Sequence, residues 1–170
     1  MFAPAHAFYA HACRASGEVL QSDHMAPALS DPAPRGTETI LLVQPDPEFR
    51  TLAAFMLSRL GYTVIEAHNA MEALKIHDER GGGIDLLLAE LRMPRVSGQE
   101  LAEVLAPRDG TMRVLFMADP DYARLALRVA PQKHLAFLPR PFTMRILADG
   151  VREALDQPIR RPKTLAAGNM

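Results

Sequence analysis

Short apolar runs alternate with longer amphipathic segments along the chain from about residue 38 to residue 156. The apolar runs lie within residues 40–43, 63–65, 85–90, 114–117 and 135–138, and the third is bounded by Asp85 and Glu90. Runs of consecutive apolar residues are typical of strands that are covered on both faces, as in a parallel sheet. We therefore predict five buried strands, of which the third ends in a carboxylate, Glu90.

The segment after the first run has the spacing of a helix. Apolar side chains predicted to form one core-facing stripe are Phe49, Leu52, Ala53, Met56, Leu57 and Leu60. Asp46 can cap the free N–H groups at the start of this helix, and Pro47 suits its first position. Gly61 is placed to end it in a left-handed conformation.

Four more helices are predicted between and after the remaining strands. They run from the Asn69–Glu72 capping box to about Asp78, from the Ser97–Glu100 capping box to before Pro107, over about residues 121–129, and from near Thr143. Strands joined by helical crossovers lie parallel, and the crossovers are right-handed. The expected fold is α/β: a flavodoxin-like (βα)5 three-layer sandwich with a parallel five-stranded sheet of order 2-1-3-4-5.

Composition separates this predicted domain, residues 38–156, from two segments expected to be flexible tails. Residues 1–37 are rich in Ala and Pro, and residues 157–170 are basic. Met25 is an alternative translation start, which would make residues 1–24 an artefact. His68, His77 and His134 are expected at surface or boundary positions, and none of them is expected to bind metal.

Charge and cysteine content narrow the functional classes. The net charge of −1 argues against a nucleic-acid-binding protein, and no apolar stretch is long enough to cross a bilayer. Cys13 is the single cysteine, so an internal disulfide is impossible. A lone thiol suits the reducing cytosol, and we expect a cytoplasmic protein.

Several local sequences, in the correct order, resemble the response-regulator receiver domain. They are residues 41–43 with 46–48, 85–94, 93–94 with 97–98, 114–117, and 137–142. The last of them is similar to receivers attached to hybrid histidine kinases. The resemblance implies a bacterial module of two-component or phosphorelay signalling, with its site at the carboxyl edge of the sheet.

The resemblance also indicates which residues of this chain match the metal-binding and phosphoacceptor positions of a receiver. At each of these positions the residue type differs from the one that receivers carry. The acidic pair that would hold Mg²⁺ matches Gln44 and Pro45, and the phosphoacceptor aspartate matches Glu90. Because Mg²⁺ prefers anionic oxygens, we expect its site to be lost, with no cofactor bound. Glutamate also displaces the reacting oxygen by more than about 1 Å, and misplacement on that scale can cost ~10²-fold in rate.

The remaining positions implied by the resemblance depart as well. Ala118 replaces the hydroxyl residue, Arg140 replaces the lysine, and Phe137 occupies the position of the aromatic switch. The peptide bond before Pro141 is expected to be cis. We predict that Arg140 clasps Glu90 with two hydrogen bonds and closes the site.

The predicted function is that of a non-enzymatic pseudo-receiver that acts by protein–protein interaction. Its partners would be signalling proteins such as a histidine kinase or a downstream regulator, without nucleic acid or membrane. Two alternatives remain open: a weakly phosphorylated receiver, and a module that binds a flavin or other small ligand on the same fold.

The resemblance implies a partner-binding face on the fourth helix, fifth strand and fifth helix. Residues expected on or near it are Arg124, Arg128, Lys133 and His134. This face could bind a signalling partner or form a homodimer, and an ordinary solvated charged surface is the competing interpretation.

Overall fold

The computed structural model describes residues 33–129 and 136–157, without the side chains of residues 125–129. Strands and helices alternate through these residues. They are β1 (Thr39–Val43), α1 (Pro47–Arg59), β2 (Thr63–Ala67), α2 (Ala70–Arg80), β3 (Leu86–Glu90), α3 (Gly98–Leu105), β4 (Arg113–Ala118), α4 (Pro120–Val129), β5 (Phe137–Pro139) and α5 (Met144–Asp156). The predicted alternation of strands and helices is confirmed.

The strands form one parallel sheet in the order β2-β1-β3-β4-β5. Leu42 of β1 is in register with Leu88 of β3, which in turn is in register with Leu115 of β4. This is the flavodoxin-like arrangement predicted from the sequence. It brings the carboxyl ends of β1, β3, β4 and β5 to the same edge.

Apolar side chains cover both faces of the sheet. Ile40 and Leu42 belong to one buried cluster with residues of α1 and α5, whereas Leu41 and Val43 belong to a second cluster with residues of α2 and α3. Successive side chains of a strand point to opposite faces. A strand buried on both faces is therefore apolar along most of its length, and the charged Glu90 at the end of β3 is an exception.

Side-chain caps begin four of the helices in the described residues, namely α1, α2, α3 and α5. Asp46 accepts hydrogen bonds from the N–H groups of Glu48 and Phe49 at the start of α1. Ser97 and Glu100 form the complete capping box at α3. The predicted Asn69–Glu72 box is only half correct, since Asn69 caps Glu72 but Glu72 accepts from the N–H of His68.

Two side chains lie in environments that the sequence did not predict. Leu52, assigned to the core stripe of α1, is 50% exposed, because it lies on the outer side of the helix from Ala53 and Leu57. His77 is buried rather than at the surface. Both corrections concern the orientation of a helix face, which apolar spacing defines only approximately.

Residues 33–38 pass across the amino edge of the sheet. Ala33 packs against the cluster beneath α1 and α5, and the N–H of Gly36 donates to the carbonyl of Leu60 at 3.2 Å. The predicted tails otherwise fall in residues 1–32 and 158–170, outside the described residues. Among the helices of the described ranges, none is both long and apolar enough to cross a membrane.

Candidate functional site

Glu90 is the last residue of β3 and lies where the carboxyl ends of the strands meet. It is 5% exposed. Gln44 follows β1, Ala118 ends β4, and Arg140 follows β5, so the sheet brings these positions around Glu90. A polar group buried at this depth must find partners within the protein.

Arg140 supplies the opposite charge. Its Nη1 atom lies 3.0 Å from Oε2 of Glu90, and its side chain is 32% exposed at the mouth of the site. The Nε atom is buried without a hydrogen-bond acceptor among the described residues. One close contact therefore joins the pair, and the clasp with two hydrogen bonds expected from the sequence is not observed.

Aromatic rings explain how the arginine is held. The guanidinium carbon of Arg140 lies 5.3 Å from the centre of the Phe49 ring. Phe49 in turn packs edge-on against Phe142, with 5.4 Å between ring centres. The cation thus lies against an aromatic face, an attractive arrangement that also orients the side chain.

Gln44 takes an active part in the site. Its Nε2 donates to Oε2 of Glu90 at 3.2 Å, and its Oε1 accepts from the N–H of Asp46 at 3.1 Å. Sequence reasoning treated Gln44 only as a missing metal ligand. Its terminal amide carries both a donor and an acceptor, and this could have suggested a bridge from a buried carboxylate to the start of α1.

Electrostatics at Glu90 are dominated by burial. Removal from water raises the pKa of the Glu90 carboxyl above its ordinary value of 4.5, although Arg140 and Gln44 favour the charged form. The pKa therefore rises because desolvation outweighs the ion pair. The site holds a carboxylate that is costly to keep charged and is stabilised by specific neighbours.

The other positions implied by the resemblance contribute apolar or backbone groups. Ala118 is buried, and its carbonyl accepts from the N–H of Arg140 at 3.0 Å. Phe137 is 5% exposed and faces Phe116, with 6.0 Å between ring centres. The Arg140–Pro141 peptide bond is cis.

The residues present do not fit a magnesium ion. Pro45 offers no side-chain oxygen, and the carboxylate of Glu90 is engaged by Arg140 and Gln44. Asp46 uses Oδ1 to cap α1. Throughout the described part of the chain, no group of three or more His, Cys, Asp or Glu residues is placed to hold a metal.

The predicted partner face is described only in part. Arg124 is exposed and forms an ion pair with Asp121 at 2.9 Å on α4. Near the mouth of the site, Arg92 lies 5.1 Å from the centre of the Tyr122 ring. The side chain of Arg128, and Lys133 and His134 entirely, lie outside the described residues.

Comparison with known proteins identifies relatives in bacterial signalling. The sequence model described as "Response regulator receiver domain" matches residues 40–152. The sensor kinase CckA of Brucella abortus is 31% identical over 122 residues, covering 72% of this chain and 13% of that protein. The transcriptional regulatory protein GlrR of Escherichia coli is 29% identical over 122 residues, covering 69% of this chain and 26% of that protein. The chain thus corresponds to a small part of these relatives.

Solved structures agree with the sequence matches. The receiver domain of the hybrid histidine kinase CckA aligns with a TM-score of 0.57 and 32% identity, over 69% of this chain and 98% of that one. A receiver domain protein from Clostridium thermocellum aligns with a TM-score of 0.62 over 69% of this chain and 94% of that one; at 21% identity, it supports the fold alone. With its strand order and the match over residues 40–152, the chain belongs to the response regulator receiver domain family.

Proposed function

We propose that this chain is a pseudo-receiver, which acts in two-component or phosphorelay signalling by binding other proteins and is not phosphorylated at the receiver position. The observation that carries the proposal is the state of Glu90. Its buried carboxylate is paired with Arg140 at 3.0 Å and bonded to Gln44 at 3.2 Å. A side chain held in this way is poorly placed to attack a phosphoryl donor.

Three further features support the absence of phosphorylation. The positions of the magnesium-binding pair hold an amide and a proline, so the developing charge of a phosphoryl group would lack its metal neutraliser. Ala118 has no hydroxyl to receive a phosphoryl oxygen. Arg140 is engaged with Glu90. The side chains that would hold the metal and receive a phosphoryl oxygen are therefore missing, and the cation that would pair with the phosphate is already paired with Glu90.

Incubation with acetyl phosphate and Mg²⁺, followed by intact-mass measurement, tests the proposal. We expect no gain of a phosphoryl group. A gain that is abolished by Glu90→Ala would contradict the proposal and favour the weakly phosphorylated receiver instead.

A restored variant supplies the positive control. It combines Gln44→Asp, Pro45→Asp, Glu90→Asp, Ala118→Thr and Arg140→Lys. We expect this variant to gain a phosphoryl group under the same conditions, which would show that the fold can still support the chemistry. Circular dichroism of the variant checks that it remains folded.

The partner is proposed to be a histidine kinase or a downstream regulator in the cytoplasm. It would dock on α4, β5 and α5, the face on which the sequence predicts Arg124 and Arg128, and which could alternatively form a homodimer. Affinity capture with the wild type and with Arg124→Ala/Arg128→Ala tests this. We expect the double variant to lose a partner that the wild type retains.

A further inference from the structure

A stripe of four exposed side chains runs along the outer side of α1. Its members are Glu48, Leu52, Phe55 and Arg59, which we call the α1 stripe. Leu52 is 50% exposed and Phe55 is 60% exposed. The spacing of four, three and four residues places all four on one side of the helix. Two large apolar side chains therefore lie together in water, although α1 already buries another face in the core.

The ends of the α1 stripe carry opposite charges. Glu48 lies in the first turn of α1, and Arg59 lies in the last turn. Both are exposed, and neither forms a side-chain ion pair within the described part of the chain. The order along the stripe is acid, apolar, apolar, base, spanning about 16 Å at the rise of an α-helix.

This order is self-complementary when two copies of α1 lie antiparallel. A two-fold axis that passes between residues 53 and 54 sets Leu52 opposite the partner's Phe55. The same axis sets Glu48 opposite the partner's Arg59, and it does so twice by symmetry. Two-fold interfaces require one patch that complements itself in this way. Parallel pairing would instead set like charges against each other.

We propose that the α1 stripe is a homodimer surface, on which a second copy of this chain binds with its α1 antiparallel. The apolar pair forms the centre, and the two Glu–Arg pairs form the rim, as in other specific interfaces. Four residues from each chain make a small interface, so the dimer belongs to the weak, concentration-dependent class. The proposal does not depend on whether Glu90 is phosphorylated.

Charge reversal tests both the surface and its orientation. Sedimentation velocity of the full chain over a wide range of concentration measures the dissociation constant. Glu48→Arg alone and Arg59→Glu alone each place like charges at both rim contacts, and we expect each to weaken the dimer about tenfold. An equal mixture of the two single variants should restore dimerisation, because each heterodimer again contains two opposite-charge pairs.

The controls separate this surface from other sites of association. Leu52→Ala/Phe55→Ala should abolish the dimer, whereas Met71→Ala, which removes an apolar side chain that is 68% exposed on α2, should leave it unchanged. Circular dichroism verifies that every variant is folded. A wild type that stays monomeric, or a mixture that fails to recover, would overturn the proposal. Loss of the dimer in Arg124→Ala/Arg128→Ala would instead assign association to the α4–β5–α5 face.

Discussion

One methylene distinguishes Glu90 from the aspartate that receivers carry at this position, and its neighbours have changed with it. The longer side chain reaches the guanidinium of Arg140 and the amide of Gln44. Both contacts stabilise the charged carboxylate in a place where burial disfavours it. At the scale of the residue, Arg140 and Gln44 together stabilise the buried negative charge of Glu90.

Removing Arg140 should therefore leave the buried carboxylate of Glu90 without its charged partner and destabilise the fold. We expect Arg140→Ala to lower the free energy of unfolding by about 2 kcal/mol, less than for a wholly buried pair, because Arg140 is 32% exposed. Urea unfolding at neutral pH measures the change. In the Glu90→Gln background, the same substitution should cost clearly less. Equal costs in the two backgrounds would show that the ion pair contributes nothing.

The raised pKa of Glu90 predicts how stability depends on pH. The folded state binds the proton more tightly than the unfolded chain, whose ordinary pKa is 4.5. The stability contribution of Glu90 is therefore largest below 4.5 and is lost as pH rises through the folded pKa. Relative to Glu90→Gln, the wild type should become less stable over that interval, as measured by thermal unfolding at several pH values. A difference that is constant with pH would contradict the raised pKa.

Close backbone packing holds α3 against the end of β3. Gly98, the first residue of α3, donates its N–H to the carbonyl of Leu91 at 3.1 Å. A Cβ atom at Gly98 would collide with the carbonyl oxygen of Glu90. At the scale of the element, the absence of a side chain at this position lets the helix approach the candidate site.

Gly98→Ala adds only one methyl group, but it should lower the free energy of unfolding substantially. The backbone of β3 would have to shift, and we expect a loss of about 2 kcal/mol in the free energy of unfolding. Gly110→Ala is the matched control, because a Cβ there meets no atom within 4 Å. Its effect should remain within about 0.5 kcal/mol. Similar effects of the two substitutions in chemical unfolding would rule out the proposed close contact.

Local sequence predicted the elements better than it predicted their faces. Asp46 and Ser97 were recognisable as caps because their hydrogen bonds involve residues two or three positions away. Leu52 was misassigned because its exposure depends on how α1 is rotated against the sheet. A contact between neighbouring residues can be read from spacing, whereas the rotation of a helix depends on the whole core.

A charged connection ties the beginning of the domain to its last helix. Arg152 of α5 contacts Glu38, ahead of β1, at 2.7 Å, and Asp156 at 2.8 Å. Burial opposes the charged form of Glu38, but hydrogen bonds from Arg152 and from the backbone lower its pKa below 4.5. At the scale of the molecule, the contact between Arg152 and Glu38 joins segments that are 114 residues apart.

Arg152→Met should therefore reduce stability most at neutral pH, by about 1 kcal/mol. A lowered pKa gives a contribution that is present above 4.5 and is lost as pH falls through the folded pKa. The difference in the free energy of unfolding between wild type and variant should thus become smaller at acidic pH, as measured by chemical unfolding at two pH values. Lys75→Met, which removes an exposed pair with Glu79, is the control and should have little effect.

The fold and the position of the candidate site could be predicted from the sequence. The contacts between side chains within the site could be predicted only in part. Five apolar runs alternating with helices were enough to predict a parallel sheet, and the predicted strand order together with the resemblance to receivers placed Glu90 near Arg140. The role of Gln44 and the stacking of Arg140 on Phe49 were missed. Both depend on side-chain conformations that are chosen in three dimensions, among neighbours from different strands.

The placement of Arg140 provides a natural spectroscopic probe. Its Nε atom is shielded from solvent, and the guanidinium carbon to which it is bonded lies 5.3 Å from the centre of the Phe49 ring. The attached proton should exchange slowly with water and give a resolved nuclear magnetic resonance signal, displaced by the ring current. Any ligand, partner or modification that moves the arginine would shift this signal without the need for an added label.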